Sequence, residues 1–451
     1  MHRLVLLSLL WLARCGSADH DVAVSASSSA EFGPPIAQNP WSAPSDFATQ
    51  HGDSGASDTS TLPGPGASAP TVARLDLLAV CPSILPLRSG LAIAVCTKLL
   101  TRTPNVVLID PDALAIVAQR ELTKGAPFGG VYPYLDEQER LVIVDGANNL
   151  LRLDTDATLG VVQTTPLPID PEDGVVGLLP DYQGRDWFAT GRGLVGTITR
   201  DGATATFRLP NDEHVANSIA SAPSGVAVVS DHALYLMKAE ETGAPSVRAR
   251  VAYERGDARK PGQLSWGSGT TPTFFGPHTG SDYVAITDNA RPMNLIVVRN
   301  DGAPICTLEV PRVEGTENSP IGTGRSVILA STFGFSYPAL PEGLSAAVPA
   351  PFTGGMARID VDEDEQGCSV VWTNTARSVS VPKLSLADGL IYTLTQTDHG
   401  YALSAIDAVS GTSIAEHELP GAGLPMQLAP TLAPRRTLLQ GMLSSILRIT
   451  P

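Results

Sequence analysis

The sequence is poor in several kinds of residue, and each shortage excludes a class of protein. Lys and Arg number 30 against 46 Asp and Glu, so the formal net charge is −16. A nucleic-acid-binding protein needs a basic surface to displace the counterions of phosphates, whereas an anionic surface repels both nucleic acid and an anionic membrane. No apolar stretch reaches the roughly 18 residues that a membrane-spanning helix requires. We therefore exclude nucleic acid as a partner and expect no transmembrane helix.

Cysteine is also scarce, with 5 in the whole chain. None lies in a Cys-x-x-Cys arrangement, which disfavours a zinc site or a thioredoxin-like redox site. If Cys15 is set aside as part of an export signal, Cys81, Cys96, Cys306 and Cys368 remain. We predict the pairs Cys81 with Cys96 and Cys306 with Cys368, each stabilising the fold by about 2–4 kcal/mol through loop entropy. The other two pairings, and four free thiols, are the alternatives.

Sustained helical periodicity is missing, and short apolar strands take its place. Leu141 to Val144 and Leu150 to Leu153, separated by a Gly-Ala-Asn-Asn turn, have the pattern of a β-hairpin, and similar hairpins recur along the chain. Repeats of about 40–50 residues are typical of propeller blades. The sequence therefore predicts an all-β propeller of eight four-stranded blades, with seven blades as the alternative. The eight units open near Cys81, Gly130, Val175, Asn217, Thr271, Asn318, Val381 and Gln427.

The N-terminus has the order of an export signal. A short basic start is followed by the apolar stretch Leu4 to Ala13 and then by small residues. We predict cleavage after Ala18, so that residues 1–18 are a signal peptide. In the alternative, the chain resembles a bacterial lipoprotein with a lipidated Cys15, although Arg14 stands where that pattern has Gly, Ala or Ser. Both interpretations predict a secreted, periplasmic or cell-surface protein, lipid-anchored in the second case.

The remainder divides into a tether and a folded body. Residues 19–73 are rich in Ser, Pro and Gly, and such a composition buries too little apolar surface to offset the cost of ordering a backbone. We predict a disordered tether there and the propeller in residues 74–451. The last unit has room for only three strands, so Leu75 to Val80 is expected to complete it and to close the ring. The Pro-, Gly- and Ala-rich stretch Tyr337 to Pro351 is expected to be a loop inserted on one face.

One stretch carries a family resemblance. Leu403 to Gly411 resembles the Ala-x-Asp-x-x-(Thr/Ser)-Gly signature of quinoprotein-like propellers, eight-bladed folds that include pyrroloquinoline quinone alcohol dehydrogenases and many non-catalytic relatives. In that family the Asp caps the turn between the third and fourth strands of a blade, and Asp407, Ser410 and Gly411 match the signature. Quinone-binding members also use two adjacent cysteines, which this sequence lacks. The resemblance therefore implies the fold without the quinone cofactor.

Polar residues cluster just before the strands that open the units. In propellers these loops ring the mouth of the central channel, and carboxylate and amide oxygens are the ligands that calcium takes. The candidate metal ligands are Glu172, Asp173, Glu213, Asn217, Glu317 and Asn318. His214 is the candidate general base, and the ring is completed by Ser268, Thr270, Thr271, Lys383 and Gln427.

These observations favour a binding or scaffolding propeller on the cell exterior over an enzyme. Its partner is expected to be an extracellular protein, a glycan or a small molecule, and the protein itself is expected to be a monomer. No cofactor is expected, with calcium as the one candidate. The alternative function is that of a calcium-dependent hydrolase or lactonase whose site, with His214, lies at the channel mouth.

Overall fold

The computed structural model describes residues 32–125 and 132–451. These residues form eight sheets, each with four antiparallel strands in meander order, and one of the sheets gains a short fifth strand that runs parallel to its neighbour. Among the described residues, helix is confined to a single 3₁₀ turn at Pro210–Asp212. The protein is therefore an eight-bladed β-propeller, as the sequence predicts.

Blades 1 to 4 occupy the first half of the ring, and each runs from its innermost to its outermost strand. Blade 1 contains β3 (Ala79–Pro86), β4 (Ala92–Lys98), β5 (Pro104–Asp110) and β6 (Ala115–Glu121). Blade 2 contains β7 (Tyr134–Leu135), β8 (Leu141–Val144), β9 (Asn149–Leu153) and β10 (Val161–Pro166). Blade 3 contains β11 (Val175–Pro180), β12 (Asp186–Thr190), β13 (Leu194–Ile198) and β14 (Thr204–Arg208). Blade 4 contains β15 (Ala220–Ala222), β16 (Gly225–Val229), β17 (Ala233–Ala239) and β18 (Pro245–Ala252).

Blades 5 to 8 complete the ring, and blades 7 and 8 also take strands from the N-terminal region. Blade 5 contains β19 (Thr273–Phe275), β20 (Tyr283–Thr287), β21 (Asn294–Arg299) and β22 (Pro304–Glu309). Blade 6 contains β23 (Ile321–Thr323), β24 (Ser326–Ala330), β25 (Met356–Val361) and β26 (Cys368–Asn374). Blade 7 contains β27 (Lys383–Ser385), β28 (Leu390–Gln396), β29 (Tyr401–Asp407) and β30 (Ser413–Glu418), and β1 (Thr59–Ser60) lies parallel to β27. Blade 8 contains β31 (Thr431–Ala433), β32 (Thr437–Gly441), β33 (Ser445–Thr450) and, outermost, β2 (Thr71–Asp76).

The burial of the strands explains why a period of two is visible in only part of the sequence. The second and third strands of each blade are covered on both faces by neighbouring blades, so β12 and β13 are buried along their whole length. The fourth strands lie at the rim and alternate, as in β30, where half-buried and exposed residues follow one another. The apolar runs that marked the hairpins are therefore the middle strands of the blades.

The ring is closed by an N-terminal strand, and this prediction is confirmed with shifted bounds. The strand is β2, which pairs antiparallel with β33 from Thr71 opposite Thr450 to Asp76 opposite Ser445. It was expected at Leu75 to Val80. Instead the chain bends after β2 at Leu78, whose side chain is 66% exposed and whose φ is +49°, and β3 begins at Ala79.

The predicted disordered tether is wrong for residues 32–73. Ala43 and Asp58 are fully buried in this stretch, and β2 is one of the propeller's own strands. The composition argument considered only apolar burial. It left out the backbone groups along the inner edge of each blade, which an irregular segment is able to pair with through its own backbone.

Both predicted disulfides are present. Cys81 and Cys96 join β3 to β4 within blade 1, with an S–S distance of 2.08 Å. Cys306 and Cys368 join the outermost strands of blades 5 and 6, with their Cα atoms 5.9 Å apart. The second bond therefore fastens two neighbouring blades to each other at the rim.

Some predictions fall outside the described residues or touch their edge. Four predictions lie outside the described residues: the signal peptide of residues 1–18, the lipidation site at Cys15, the start of the tether, and the opening of the second unit near Gly130. Within the part of the chain that the structure describes, no helix has the length and hydrophobicity required to cross a bilayer. The remaining unit openings agree with the innermost strands. For example, the openings near Val175 and Thr271 correspond to β11 and β19.

Candidate functional site

The central channel is filled along part of its length by the protein's own chain. We call residues 49–60 the channel segment. Its carbonyl groups accept hydrogen bonds from the innermost strands of successive blades: Ser54 from the Ser221 amide at 2.7 Å, Gly55 from the Phe274 amide at 2.8 Å, Ser57 from the Gly322 amide at 2.9 Å and Asp58 from the Leu384 amide at 3.0 Å. The segment thus pairs with the inner edges of blades 4, 5, 6 and 7.

The residues before the channel segment lie on one face of the ring, which we call the back face. There Trp41 packs on Gly184, in the turn that follows the innermost strand of blade 3, and the Arg200 guanidinium stacks 4.9 Å from the Trp41 ring centroid. Gly33 lies against Gly324 in the corresponding turn of blade 6. The chain therefore enters the channel from the back face and closes it on that side.

A buried polar network holds the channel segment in place. The Asp58 carboxylate accepts hydrogen bonds from Lys383 Nζ at 2.6 Å, from His51 Nδ1 at 3.0 Å and from the Ser319 hydroxyl. Lys383 Nζ also donates to the Gln50 carbonyl at 2.9 Å. Burial by itself raises the pKa of Asp58, but Lys383 and His51 outweigh it and lower the pKa below its ordinary value. The carboxylate is therefore ionised, and it ties the segment to blades 6 and 7.

Above the channel segment the ring opens into a cavity of about 770 Å³. Its floor includes Gln50 and His51, and its wall is built from the loops that lead into the innermost strands. We call the face on which it opens the front face. Most of the wall is apolar, with contributions from Val80, Leu122, Val144, Val176, Val215, Leu264, Val381, Met426 and Leu428. The cavity is therefore open at one end only, with an apolar wall and a polar floor.

Glu317 is the most strongly perturbed carboxyl group of the cavity wall. Its Oε1 accepts hydrogen bonds from the Leu264 amide at 2.8 Å and from the amide and hydroxyl of Ser265 at 2.9 and 3.0 Å. Burial raises its pKa to about 8, against the effect of these hydrogen bonds. Within the described residues, no cationic side chain forms an ion pair with it.

The insertion between β24 and β25 forms part of the mouth. Tyr337, Leu340 and Glu342 line the cavity, so the predicted loop on one face is confirmed and its face is the front. The Glu342 carboxylate lies 2.9 Å from Lys124 Nζ on the approach to blade 2. An aromatic cluster supports the base of the insertion, because the Phe335 ring meets those of Tyr337 and Phe352 edge-on at 4.9 and 5.6 Å.

The structure brings some of the sequence-predicted ring residues to the cavity. Those that line it are His214, Asn217, Thr271, Glu317 and Gln427. His214 is exposed, and its backbone amide donates to the Asp231 carboxylate at 2.9 Å. Gln427 is held by its Nε2, which donates to the Ser378 carbonyl at 3.0 Å. Lys383 lies below the floor, in the network around Asp58.

Other candidate calcium ligands are engaged elsewhere. Glu172 is exposed and pairs with Arg192 at 3.1 Å, and one Asp173 carboxylate oxygen accepts the amides of Gly174 and Arg192. Glu213 is buried, and its carboxylate accepts hydrogen bonds from Arg250 and Tyr235, both at 2.8 Å, and from the Ser230 hydroxyl. Asn318 is 1% exposed and is not part of the cavity lining, and its side-chain amide has no hydrogen-bond partner among the described residues. Across residues 32–125 and 132–451, no group of three or more His, Cys, Asp or Glu side chains has a metal-binding arrangement.

Several cavity residues were missed by the sequence-based analysis. Gln50 and His51 lie in the stretch predicted to be disordered, and Tyr132 and Tyr337 lie in loops without a motif. The small residues that follow Gln50 and His51 are a sequence signal that could have placed these two residues in the channel. Gly52 to Ser57 is built from Gly, Ala, Ser and Asp, and such side chains fit between eight converging strands.

Comparisons with known proteins agree with the fold. No protein-family model and no curated protein matches the sequence. Among solved structures, virginiamycin B lyase from Staphylococcus aureus is similar at 11% identity and a TM-score of 0.41, covering 85% of this chain and 99% of that one. The WD40 domain of coronin from Toxoplasma gondii is similar at 9% identity and a TM-score of 0.45, covering 86% and 88%. The class of the protein, that of the β-propellers, follows from its own eight sheets, and the site is defined by this chain's own residues.

Proposed function

We propose that this protein is a ligand-binding propeller that acts on the cell exterior, and that its ligand enters the front-face cavity. The observation that supports this is the closed floor. Because the channel segment seals the back, the opening is a pocket of the size that buries most of a small molecule rather than a pore. Propellers serve in general as binding modules and scaffolds.

A pair of Ala→Trp variants tests the cavity. Ala216 is exposed and lines the mouth, so Ala216→Trp fills it. Ala203 is exposed in the turn between β13 and β14, away from the cavity, and Ala203→Trp is the matched control. Titration calorimetry with octyl glucoside, a neutral amphiphile, should show binding to the natural protein and to Ala203→Trp, and at least tenfold weaker binding to Ala216→Trp. Equal binding to all three would place the amphiphile outside the cavity and refute the proposal.

Export is the second part of the proposal, and the two disulfides support it, because such bonds persist in oxidising compartments. Intact-mass measurement of protein made in its own host decides between the forms. A mature chain that begins at Asp19 is expected. A chain that begins at a lipid-modified Cys15 would instead establish a lipid anchor, and an uncleaved intracellular chain would contradict export.

A further inference from the structure

Glu317 lies in an apolar wall and forms no ion pair within residues 32–125 and 132–451, although the more distant charge of Arg259 acts to lower its pKa. In the part of the chain that the structure describes, its hydrogen bonds come from Ser265 and Leu264, and all of these donors are neutral. The other acidic residues of the cavity are already engaged. Glu342 pairs with Lys124, and Asp145 caps the turn between β8 and β9 by accepting the amides of Ala147 and Asn149. A carboxylate in such surroundings gains strongly from a cation that the ligand supplies.

Two tyrosines share the surroundings of Glu317. Tyr132 and Tyr337 both line the cavity, and the charge of Glu317 contributes to raising the pKa of each hydroxyl, after the larger effect of burial. The buried Tyr337 hydroxyl has no hydrogen-bond partner among the described residues. Aromatic rings beside a carboxylate are the surroundings that favour an ammonium group, through cation–π attraction as well as charge.

The rest of the wall indicates what the ammonium group is attached to. Leu264 and Leu340 line the same cavity, as do Val215, Val381 and Met426. This apolar surface would bury a hydrocarbon body once the head group is placed at Glu317.

From this arrangement, and resting on the proposed function of the cavity, we propose that the ligand is a cationic amphiphile: an ammonium group bound by Glu317 between Tyr132 and Tyr337, with an apolar body against the cavity wall. No bond is made or broken. The class includes alkylamines and quaternary ammonium compounds, and specificity arises because an anionic head group would face an unpaired carboxylate.

Three probes with the same chain test the head-group preference. Octyltrimethylammonium, octyl glucoside and octyl sulfate are titrated by calorimetry below their micellar concentrations. The ammonium probe is expected to bind at least tenfold more tightly than the glucoside, and the sulfate more weakly than both. Equal affinity of the first two would overturn the ammonium site while leaving the binding cavity intact. Absence of binding by all three would refute both.

Glu317→Gln is the decisive variant, because a glutamine oxygen still accepts the Leu264 and Ser265 amides while the charge is lost. At about pH 9, where Glu317 is ionised, it should lower the affinity for the ammonium probe at least tenfold and leave that for the glucoside within twofold. Glu172→Gln is the matched control: it removes one negative charge near the same rim from an exposed pair with Arg192, and it should change neither affinity. Equal effects of the two variants would show that the ammonium probe responds to the overall negative charge of the protein, and would overturn the site.

A pH series on the natural protein provides a test that does not depend on a variant. The charge of octyltrimethylammonium is permanent, so any pH dependence belongs to the protein. Because burial raises the pKa of Glu317 to about 8, affinity should rise with pH below about 8, where ionisation of Glu317 limits binding, and level off above it. The groups whose charges interact with Glu317 are Tyr132, Tyr337 and Arg259, and burial raises the pKa of both tyrosines. Arg102, Lys124, Asp145, His214 and Glu342 also line the cavity. A slope that survives in Glu317→Gln would show that the pH dependence does not arise from Glu317 and would overturn the proposal.

Discussion

The channel segment and the insertion at the mouth have similar compositions and opposite structural roles. Residues 49–60 and residues 337–351 are both rich in small residues and poor in aromatics, and both lack a strand pattern along most of their length. The first is buried among the innermost strands, whereas the second is largely exposed, with Val348 at 72%. The difference comes from their surroundings. An irregular segment is ordered where strand edges offer it unpaired amides, and composition does not report that.

Removal of each segment in turn tests most directly whether the two segments differ in their contribution to stability. Deletion of residues 32–60 uncovers the inner edges of blades 4 to 7 and empties the floor, so we expect the thermal midpoint to fall by more than about 10 °C or cooperative unfolding to be lost. Replacement of residues 338–350 by a short Gly-Ser link should lower it by no more than about 3 °C, since the rings of Phe335 and Phe352 already bring the two ends together. Scanning calorimetry of both variants measures the contrast. Similar losses would show that the two segments do not differ as described.

Two ion pairs allow the same comparison at single residues. The pair of Asp58 with Lys383 is buried at both ends, whereas that of Glu342 with Lys124 is exposed. Asp58→Ala leaves the Lys383 ammonium buried without its counter-charge and should lower the free energy of unfolding by about 3–5 kcal/mol. Glu342→Ala should leave it unchanged within error. Urea denaturation of the two variants is the measurement, and a negligible effect of Asp58→Ala would mean that the network does not hold the segment.

Two glycines with a left-handed backbone allow the steric cost of a substitution to be distinguished from its conformational cost. Gly52 has φ +93°, and a Cβ atom there would lie 2.6 Å from the Thr59 carbonyl oxygen, while Gly343 has φ +82° with open space around it. Gly343→Ala should cost about 1 kcal/mol, the conformational cost by itself. Gly52→Ala adds a clash with the backbone and should cost about 2–4 kcal/mol in the same denaturation experiment. Equal costs would indicate that the channel segment adapts freely.

The smallest expected effect is a pH dependence within the channel segment. Burial raises the pKa of Asp53 above its ordinary value, against the hydrogen bonds from Ser57 and the charge of Lys383. A raised pKa in the folded state means that stability declines as pH rises through the window above about 4, where the unfolded chain has already ionised. Asp53→Asn keeps an acceptor for Ser57 and does not ionise. Its thermal midpoint relative to the natural protein should therefore increase from about pH 4 to pH 7, and a flat difference would contradict the shift.

Asp58 provides the internal control for that series because its shift has the opposite sign. Its pKa is lowered in the folded state, so its stabilising contribution is complete above its ordinary value and is lost as pH falls further. The two carboxyl groups, both in the channel segment, should respond in different pH ranges.

The blades were predictable because their information is local. A middle strand such as Leu194–Ile198 needs only its own apolar residues and a neighbouring turn to be recognised, and the spacing of such hairpins indicates the repeat. The disulfides were predicted as one of the three pairings open to four cysteines, and the structure decided between them. The ring of polar residues at the channel mouth was only partly predictable. Sequence position indicates that Glu213 and Glu317 precede innermost strands. It does not indicate that Arg250 forms an ion pair with the first, while the second faces the cavity and forms no ion pair with any described residue.

The sequence by itself determined the class of fold, and it predicted eight blades, with seven as the alternative, and closure of the last blade by an N-terminal strand, since each follows from local periodicity and from a count of strands. Only the tertiary structure decided that residues 49–60 fill the channel, that one end of the channel is therefore closed, and that Gln50, His51, Tyr132 and Tyr337 meet Glu317 around one cavity. The physical reason is that a propeller brings eight distant loops to one axis. Which of their side chains are paired there, and which remain for a ligand, depends on contacts between residues separated by up to several blades.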